Sequence, residues 1–460
     1  MNASHPSNDF STDTIVAIST PPGRGGIGIV RLSGPQASAI AAPLLRLRHA
    51  LAPAQARFAD LIDPTTGERL DEAVVTWFAA PHSYTSEDVV EIAAHGAPVI
   101  LEFLVRACIA AGARLARPGE FTERAFLAGR LDLTQAEAVR DLIDAQTLYQ
   151  AKIASEQLGG SLSRRIRPIK QTLVDLIAEL EAGIDFAEDD IDVLAAPEIL
   201  PRIAAVAEPL QALAASFAYG RVVRDGFSLA IIGRPNTGKS SLFNRLVQRE
   251  RAIVTATPGT TRDLVTERVA LGGIPLNLID TAGLRTATDE AERLGIEKSR
   301  EAAADADVVL LVLDASAGPL DAEERALLQQ LENRCALVVL NKVDLPVSAA
   351  PTIEIPASAL RTSARTGEGI AALQEKILEL VRGDGAESES ALVTNLRQQQ
   401  AVQEALAALA AAQAGVAAQI PHEMILLDFY GALRALDALT GETTLDDILN
   451  QIFSTFCIGK

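Results

Sequence analysis

The sequence has little of several features that mark particular classes of protein. Its 460 residues include three cysteines, Cys108, Cys335 and Cys457, whose spacing fits neither a disulfide pair nor a metal site, so a reducing cytoplasm fits better than secretion. The polar first ten residues lack the apolar core of a signal peptide, and no apolar run approaches membrane-spanning length. No internal repeat of solenoid length occurs. We therefore expect a cytoplasmic protein with no membrane span.

Positive charge is also scarce. The formal net charge is −19 at pH 7, which argues against a protein that coats nucleic acid non-specifically but leaves room for a shaped RNA bound through a local basic patch. Four cations cluster in one stretch of helical apolar spacing, which is either a solvated helix face or an RNA-facing patch. These cations are Arg164, Arg165, Arg167 and Lys170.

What the chain does have is a segment with the spacing of a phosphate-binding loop, residues 233–241, between an apolar run at 227–232 and the helical pattern of 242–247. Its glycines let consecutive backbone N–H groups turn toward phosphate oxygens at the start of a helix. Lys239 can reach the terminal phosphates, and the Ser240 hydroxyl can ligate magnesium. The residues expected to contact nucleotide here are Asn236, Thr237, Gly238, Lys239, Ser240 and Ser241.

Three further motifs follow in an order typical of GTP-binding domains. Asp280 ends the apolar run 274–279 and can hold magnesium through water, whereas Asp344 can accept from the two N–H groups on the edge of guanine, which adenine lacks. Backbone N–H groups of 363–365 can read the guanine oxygen. The residues expected to contact nucleotide are Asp280, Thr281, Ala282, Gly283, Asn341, Lys342, Asp344, Ser363, Ala364 and Arg365. The chain here resembles the translation-factor-related GTPases.

The remaining patterns divide the chain into domains. The strand pattern at 27–32 excludes the dinucleotide-binding reading of Gly23, Gly25 and Gly28, because that fingerprint needs a helix after its glycines. Helices are predicted over 98–111, and over 136–146 after a capping box at 134–137. We predict an N-terminal α/β domain at 1–120, a discontinuous helical domain at 121–224 and 384–460, and an inserted Ras-like GTPase domain at 225–383.

Several motifs together carry a more specific resemblance. The terminus Cys457-Ile-Gly-Lys460, the loop 21–28, the segments 117–126 and 131–137, and the inserted GTPase domain resemble the MnmE (TrmE) family, tRNA modification GTPases of bacteria and organelles. The resemblance implies a homodimer that acts with the flavoprotein MnmG. The pair would add an aminomethyl or carboxymethylaminomethyl group to carbon 5 of the wobble uridine. A tetrahydrofolate such as 5-formyltetrahydrofolate would supply the one-carbon unit.

The resemblance also implies roles for residues. Arg31, Glu91, Arg130 and Lys460 would line the folate site of an aminomethyltransferase-like N-terminal domain. Leu284 stands where Ras-type enzymes carry a glutamine that orients water, and Glu292 would take that role. Cys457 is either a catalytic thiol or an inert one. Potassium, in place of an arginine finger, would be held by Asn236, Thr255, Thr257 and Thr260. Thr261 would join Ser240 on magnesium, and the loop residues Thr255, Ala256, Thr257, Pro258, Gly259, Thr260 and Thr261 would contact GTP.

Two other classes of protein remain to be weighed. A ribosome-assembly GTPase that only binds RNA usually carries a basic RNA-binding domain after its GTPase domain, whereas the residues here are Ala-rich. A folate transferase with a vestigial GTPase domain is disfavoured by the intact phosphate loop, Asp280 and Asp344.

Overall fold

A computed structural model describes residues 13–185, 195–249, 265–280, 306–331, 334–346, 356–382 and 392–442, together with Phe456 and Gly459. The chain divides into two compact units, one of residues 1–140 and 437–460 and the other of residues 141–436. Within the described residues, no helix combines the length and the apolar character needed to cross a bilayer.

The first unit is built on a mixed sheet with strand order β3-β4-β5-β6-β2-β1-β7. Its strands are β1 Ile15–Ile18, β2 Gly25–Ser33, β3 Leu45–Leu47, β4 Ala56–Ile62, β5 Arg69–Phe78, β6 Val89–Gly96 and β7 Arg114–Leu115. Its helices are α1 Ala37–Ala41, a short 3-10 turn Ala42–Leu44, α2 Pro98–Ala110, α3 Glu120–Leu127 and α4 Leu133–Asp144, the last of which runs on into the second unit.

One face of this sheet is a continuous core, and the other is covered at β1 but open at β4. Alternate residues such as Leu32, Val75 and Ile92 are fully buried and cluster with Leu104 of α2. On the opposite face, Ile15 of β1 is fully buried against Phe121 of α3, whereas Phe58 of β4 is 80% exposed. At β4 the alternation is that of a sheet covered on a single side.

Two sequence predictions in this unit have different outcomes. The region of Gly28 is strand β2, which confirms that the glycines do not form a dinucleotide-binding turn. The prediction of a capping box at 134–137 was wrong, because helix α4 begins at Leu133 and its N-cap is Asp132. The Asp132 carboxylate accepts from the N–H of Gln135 at 2.9 Å, and the Gln135 side chain accepts from the N–H of Asp132 at 3.0 Å. Aspartate caps a helix as well as threonine does, so the reciprocal pair lies two residues earlier.

The second unit contains a sheet of order β13-β12-β11-β8-β10-β9, parallel throughout except for the β9–β10 hairpin. Its strands are β8 Phe227–Ile232, β9 Val265–Leu271, β10 Ile274–Asp280, β11 Val308–Asp314, β12 Ala336–Asn341 and β13 Leu360–Arg361. Its helices are α5 Leu148–Leu158, α6 Ser161–Asp185, α7 Ala196–Ala215, α8 Phe217–Asp225, α9 Lys239–Arg249, Ala322–Leu331, Ile370–Arg382, Leu396–Ala417 and His422–Thr440.

The central strands of this sheet are apolar over most of their length. Leu229, Leu310 and Val339 pack with residues of α9 and of Ile370–Arg382 on one face, while Ile232 and Leu311 belong to a second cluster. Strands buried on both faces need such continuous apolar runs. The carboxyl ends of β8, β11 and β12 therefore meet at one edge, where the loops of the candidate nucleotide site begin.

Candidate functional site

The loop between β8 and α9 has a backbone that only glycine fits at two positions. Gly233 has φ of +142°, and a Cβ there would lie 2.3 Å from the carbonyl oxygen of Val312. Gly238 has φ of +93°, and its Cβ would lie 2.3 Å from Nδ2 of Asn341. These distances are far shorter than van der Waals contact. The predicted phosphate loop therefore folds as a tight turn packed against two neighbouring strands.

The side chains of the loop either hydrogen-bond to its own backbone or are exposed to solvent. The Nζ of Lys239 donates to the carbonyls of Gly233 at 2.7 Å and Arg234 at 2.6 Å, so its ammonium lies across the turn. Thr237 is 3% exposed, and its hydroxyl also donates to the Arg234 carbonyl. Asn236, Ser240 and Ser241 are exposed at the start of α9. An ammonium and the amino end of a helix at one turn favour an anionic phosphate group.

Asn341 connects three predicted motifs. Its Nδ2 donates to the carbonyl of Thr237 at 3.0 Å, and its Oδ1 accepts from the N–H of Ala364 at 3.0 Å. The residue is 1% exposed. Because both ends of the amide are used, the phosphate loop and the segment 363–365 are held at a fixed separation.

The neighbour of Asn341 has a partner that the sequence reasoning missed. Lys342, with φ of +67°, places its Nζ 2.6 Å from Oδ2 of Asp314, the last residue of β11. Burial acts to raise the pKa of Asp314, but hydrogen bonds from Lys342 and Ser316 outweigh it and lower that pKa. The parallel register of β11 and β12, which pairs Asp314 with Asn341, would have indicated this ion pair had the strand order been known.

Asp344 is held in position by the segment 363–365. The Ser363 hydroxyl donates to its Oδ1 at 2.7 Å, and Nη1 of Arg365 lies 3.8 Å from its Oδ2. The Arg365 side chain is 83% exposed, so this is a weak contact. The carboxylate that is predicted to read guanine is therefore oriented mainly by a neutral donor, the Ser363 hydroxyl.

Part of the predicted site lies outside the described residues. These residues are Thr255, Ala256, Thr257, Pro258, Gly259, Thr260, Thr261, Thr281, Ala282, Gly283, Glu292, Cys457 and Lys460. The backbone of Asp280 ends β10 as predicted. In the part of the chain that the structure describes, no group of three or more His, Cys, Asp and Glu side chains could hold a metal ion.

A second candidate site is a cavity of about 620 Å³ in the first unit. Glu91 and Arg130, both predicted folate ligands, line it, together with Ser83 and Tyr84. Nη1 of Arg130 donates to the carbonyl of Ser83 at 2.6 Å. The Ser83 hydroxyl is buried and has no hydrogen-bond partner among the described residues. A cavity that combines two charged groups and an unpartnered hydroxyl suits a polar ligand.

Arg31 lies beside this cavity through its contact with Glu91. Its Nε donates to Oε1 of Glu91 at 2.9 Å, and its Nη1 is 3.5 Å from the carbonyl of Gly459. The Ser19 hydroxyl donates to the same carbonyl at 3.0 Å. Gly459 therefore lies against the predicted site. The structure thus brings together Arg31, Glu91 and Arg130 from distant parts of the sequence.

Tyr84 is the residue at this site that sequence reasoning missed. Its ring centroid is 5.8 Å from Cζ of Arg31 and 5.3 Å from Cζ of Arg130, distances at which a cation is attracted to the ring face. Burial raises the pKa of its phenol, whose oxygen is 2.9 Å from the Thr122 hydroxyl. No local sequence signal marks a tyrosine that two distant arginines share.

A buried ion network supports this site from α3. Glu120 is fully buried and accepts from both terminal nitrogens of Arg114, at 3.0 and 2.5 Å, and from the N–H of Arg117 at 2.7 Å. Arg124, 4% exposed, pairs with Glu120, Glu87 and Asp13. Burial alone would raise the pKa of Glu120, but these hydrogen bonds outweigh it and hold the pKa below its usual range. The network fixes α3 to the sheet by charge compensation.

The basic cluster lies in the first turns of α6. Arg164 and Arg167 are exposed, whereas Arg165 and Lys170 are half-buried. Arg164 donates to the carbonyl of Gly159. Both readings of this cluster, a solvated helix face and an RNA-facing patch, fit these positions.

Family models and relatives match this chain over most of its length. The model described as the GTP-binding protein TrmE N-terminus matches residues 14–130, and the MnmE helical domain model matches residues 133–457. The tRNA modification GTPase MnmE of Koribacter versatilis is 60% identical over 97% of this chain and 99% of its own. The protein of that name from Levilactobacillus brevis is 43% identical over 97% of this chain and 98% of its own.

Solved structures match a smaller part. The G domain of the T. maritima FeoB iron transporter is 27% identical, covers 34% of this chain and 98% of its own, and has a TM-score of 0.24. The full-length relatives, named tRNA modification GTPases, agree with a GTPase domain in this chain. The chain belongs to the MnmE (TrmE) family of tRNA modification GTPases.

Proposed function

We propose that the chain hydrolyses GTP at the loop 233–241 and uses that hydrolysis to modify the wobble uridine of tRNA together with the flavoprotein MnmG. The observation that carries the proposal is the joint arrangement of the phosphate loop, Asn341 and Asp344 around one strand edge. The names of the full-length relatives, tRNA modification GTPases, support the substrate.

At the nucleotide, each described residue has a distinct role. Lys239 exchanges the carbonyls of Gly233 and Arg234 for phosphate oxygens, and the exposed Ser240 hydroxyl would hold magnesium together with Thr261. Asp344 accepts from the N1–H and the 2-amino group of guanine. The N–H of Arg365 donates to the guanine oxygen, because the N–H groups of Ser363 and Ala364 donate to the carbonyl of Glu368 and to Oδ1 of Asn341. Asp280 would hold magnesium through water. These tasks of positioning and neutralising charge are what phosphoryl transfer to water requires.

We further propose that Glu292 orients the attacking water and that potassium replaces an arginine finger. Asn236, exposed in the loop with φ of +64°, offers a side-chain oxygen at the mouth of the phosphate site. Thr255, Thr257 and Thr260 would complete the ion site. These residues would hold potassium in preference to the smaller sodium ion, and its positive charge would stabilise the charge that develops on the phosphates. Turnover in matched potassium and sodium chloride tests this. Equal rates in the two salts would remove potassium from the mechanism and leave the GTPase intact.

The cavity of the first unit is proposed to bind the tetrahydrofolate that supplies a one-carbon unit when bound. Arg130 and Arg31 attract the carboxylates of its glutamate tail, with Lys460 as a third cation. Glu91 accepts from the N–H groups of the pterin, and the unpartnered Ser83 hydroxyl adds a donor. Calorimetry with 5-formyltetrahydrofolate should show weakened binding for Arg130→Ala and for Arg31→Ala, while GTP turnover without folate stays at the parent rate.

The open face of the first sheet supports a homodimer. Phe58, Val74, Ala93 and Ile29 are paired across β4, β5, β6 and β2 and form an apolar row. The adjacent row on that face carries Arg31 and Glu91. A second copy that covered the apolar row would therefore lie beside the proposed folate site. Phe58→Asp should convert the dimer to monomer in sedimentation, and an unchanged dimer would place the interface elsewhere.

Nucleoside analysis of tRNA tests the proposal as a whole. A bacterial strain that lacks the protein should lose the modified wobble uridine and regain it with the parent gene, but not with Lys239→Ala or Arg130→Ala. Wild-type nucleosides in the deletion strain would favour the RNA-binding regulatory GTPase. Restoration by Lys239→Ala would favour the folate transferase with a vestigial GTPase domain.

A further inference from the structure

Arg245 lies on α9, the helix that begins with Lys239 and Ser240, and it reaches the segment that is proposed to read guanine. Its Nη2 donates to the carbonyl of Arg365 at 3.0 Å. A Cβ built on Gly367 would lie 3.3 Å from Nη2, 3.7 Å from Cζ and 3.8 Å from Nε of Arg245. Because three atoms of the guanidinium lie at nearly equal distances from that point, Arg245 presents its face to Gly367.

The part of the chain beneath Arg245 is a compact turn. The N–H of Gly367 donates to the carbonyl of Ser363 at 2.8 Å, and the N–H of Thr366 donates to the Ser363 hydroxyl at 3.1 Å. Gly367 has φ of +89°, in the left-handed region that glycine adopts without strain. The N–H of Ser363 donates to the carbonyl of Glu368 at 3.0 Å, which closes the turn. A displacement of Gly367 is therefore passed to Ser363.

Ser363 is the residue that orients Asp344, with 2.7 Å between its hydroxyl and Oδ1 of the carboxylate. A continuous series of contacts thus runs from Arg245 through the 363–368 turn to Asp344. Within the described residues Arg245 forms no ion pair, and its buried Nε has no acceptor. Its contacts are therefore with the backbone of this turn, and a surface salt bridge does not explain its placement.

We propose that Arg245 is a specificity-determining positioning residue, which holds the 363–368 turn so that Ser363 keeps Asp344 aimed at the guanine edge. The proposal rests on the proposed role of Asp344 as the base reader. It makes guanine recognition depend on the same helix that begins at the phosphate loop. The guanidinium is needed for its flat face as well as its donor, because a lysine ammonium can donate to the carbonyl of Arg365 but cannot stack on Gly367.

The test compares the affinities of the full-length protein for GDP and for inosine diphosphate, whose base lacks the 2-amino group. In Arg245→Ala the preference for GDP should fall about fivefold, the worth of one ordinary hydrogen bond. Arg245→Lys should fall between the parent and Arg245→Ala. Gly367→Ala, whose added methyl would meet the guanidinium, should reproduce the loss. Arg382→Ala, on the exposed end of helix Ile370–Arg382, serves as the matched control and should keep the parent preference.

Each outcome decides the proposal. If the ratio of the GDP and inosine diphosphate affinities is unchanged in Arg245→Ala, even when both affinities fall, Arg245 supports the site without contributing to base discrimination. That result overturns the proposal. If Arg245→Ala does not fold, the same ratio in Arg245→Lys decides. If Asp344→Asn gains no affinity for xanthosine diphosphate, Asp344 does not read the base and both proposals fail. A xanthosine switch with an unchanged Arg245→Ala ratio overturns the Arg245 proposal alone.

Discussion

The two candidate sites of this chain are constructed in different ways. The nucleotide site is defined by backbone, with glycines at 233 and 238 that have no room for a Cβ and with short motifs that directly follow strands. The cavity of the first unit is lined by residues of β5, β6, the segment 81–86 and residues 128–130, and it is supported by the ion network around Glu120. The first site therefore depends on the absence of a side chain at its glycines, and the second depends on the pairing of buried charges.

The largest expected effect comes from removing a charge from that network. Glu120→Ala leaves Arg124, 4% exposed, with less compensation for its buried charge, and breaking a buried pair costs about 3–5 kcal/mol. The single tryptophan, Trp77 in β5, reports urea unfolding of the first unit by fluorescence. Glu102→Ala, exposed on α2, is the control and should change the free energy of unfolding by less than about 0.5 kcal/mol. Equal stability of the two variants would contradict the account of the network.

The second effect is local to the nucleotide site. Asp344→Asn should weaken GTP binding by about 1.5–3 kcal/mol for each charge-assisted hydrogen bond lost. It should also favour xanthosine triphosphate, because the amide N–H then meets the xanthine carbonyl. The free energy of unfolding that Trp77 reports should stay at the parent value. Among the described residues, the Asp344 side chain forms hydrogen bonds or ion pairs only with the 363–365 segment. Competition binding with the two triphosphates measures the switch, and unchanged GTP affinity would exclude Asp344 as the base reader.

The third prediction tests whether the lack of space around Gly238, with no change of charge, limits GTP binding. In Gly238→Ala the added Cβ would lie 2.3 Å from Nδ2 of Asn341, and overpacking of this kind costs about 1–3 kcal/mol. We therefore expect a loss of GTP affinity of about 10- to 100-fold. Gly318→Ala is a closely matched control, because Gly318 has φ of +90° against +93° for Gly238 but nothing within 4 Å of its Cβ. If both variants bind GTP equally, the lack of space at Gly238 does not limit GTP binding.

The same difference decides what could be predicted from the sequence. Strand β8, the start of α9 and the ends of β10 and β12 were predicted correctly or within one residue, because the motifs of a backbone site consist of contiguous residues. Arg31, Glu91 and Arg130 were found only through resemblance to a family, and Tyr84 was missed. These residues are separated by dozens of positions, and only tertiary contacts bring them together: the β2–β6 register pairs Arg31 with Glu91, and Arg130 reaches the same region through its hydrogen bond to the Ser83 carbonyl. The cap at Asp132 was missed because threonine at 134 offered an equally good local pattern.

The smallest effect compares two carboxylates on one helix. Glu123, 7% exposed and bonded to Nη2 of Arg117 at 3.1 Å, has its pKa raised mainly by burial, whereas the pKa of Glu120 is lowered because the hydrogen bonds from Arg114 and Arg117 outweigh burial. Glu123→Gln removes a charge that burial disfavours and loses one bond to Arg117. We expect a change in the free energy of unfolding of about 1 kcal/mol or less at neutral pH.

The lowered pKa of Glu120 and the raised pKa of Glu123 give opposite pH dependences of the free energy of unfolding. A lowered folded pKa stabilises the protein above the unfolded value of about 4.3, and this stability is lost as pH falls through the folded pKa. The loss in Glu120→Gln should therefore be largest near neutral pH and shrink in acid. A raised folded pKa contributes stability below about 4.3 that is lost as pH rises through the folded pKa, so Glu123→Gln should gain on the parent as pH rises. Trp77-detected urea unfolding across this range measures both, and parallel pH profiles for the two variants would show that the Arg114 and Arg117 hydrogen bonds do not distinguish the two carboxylates.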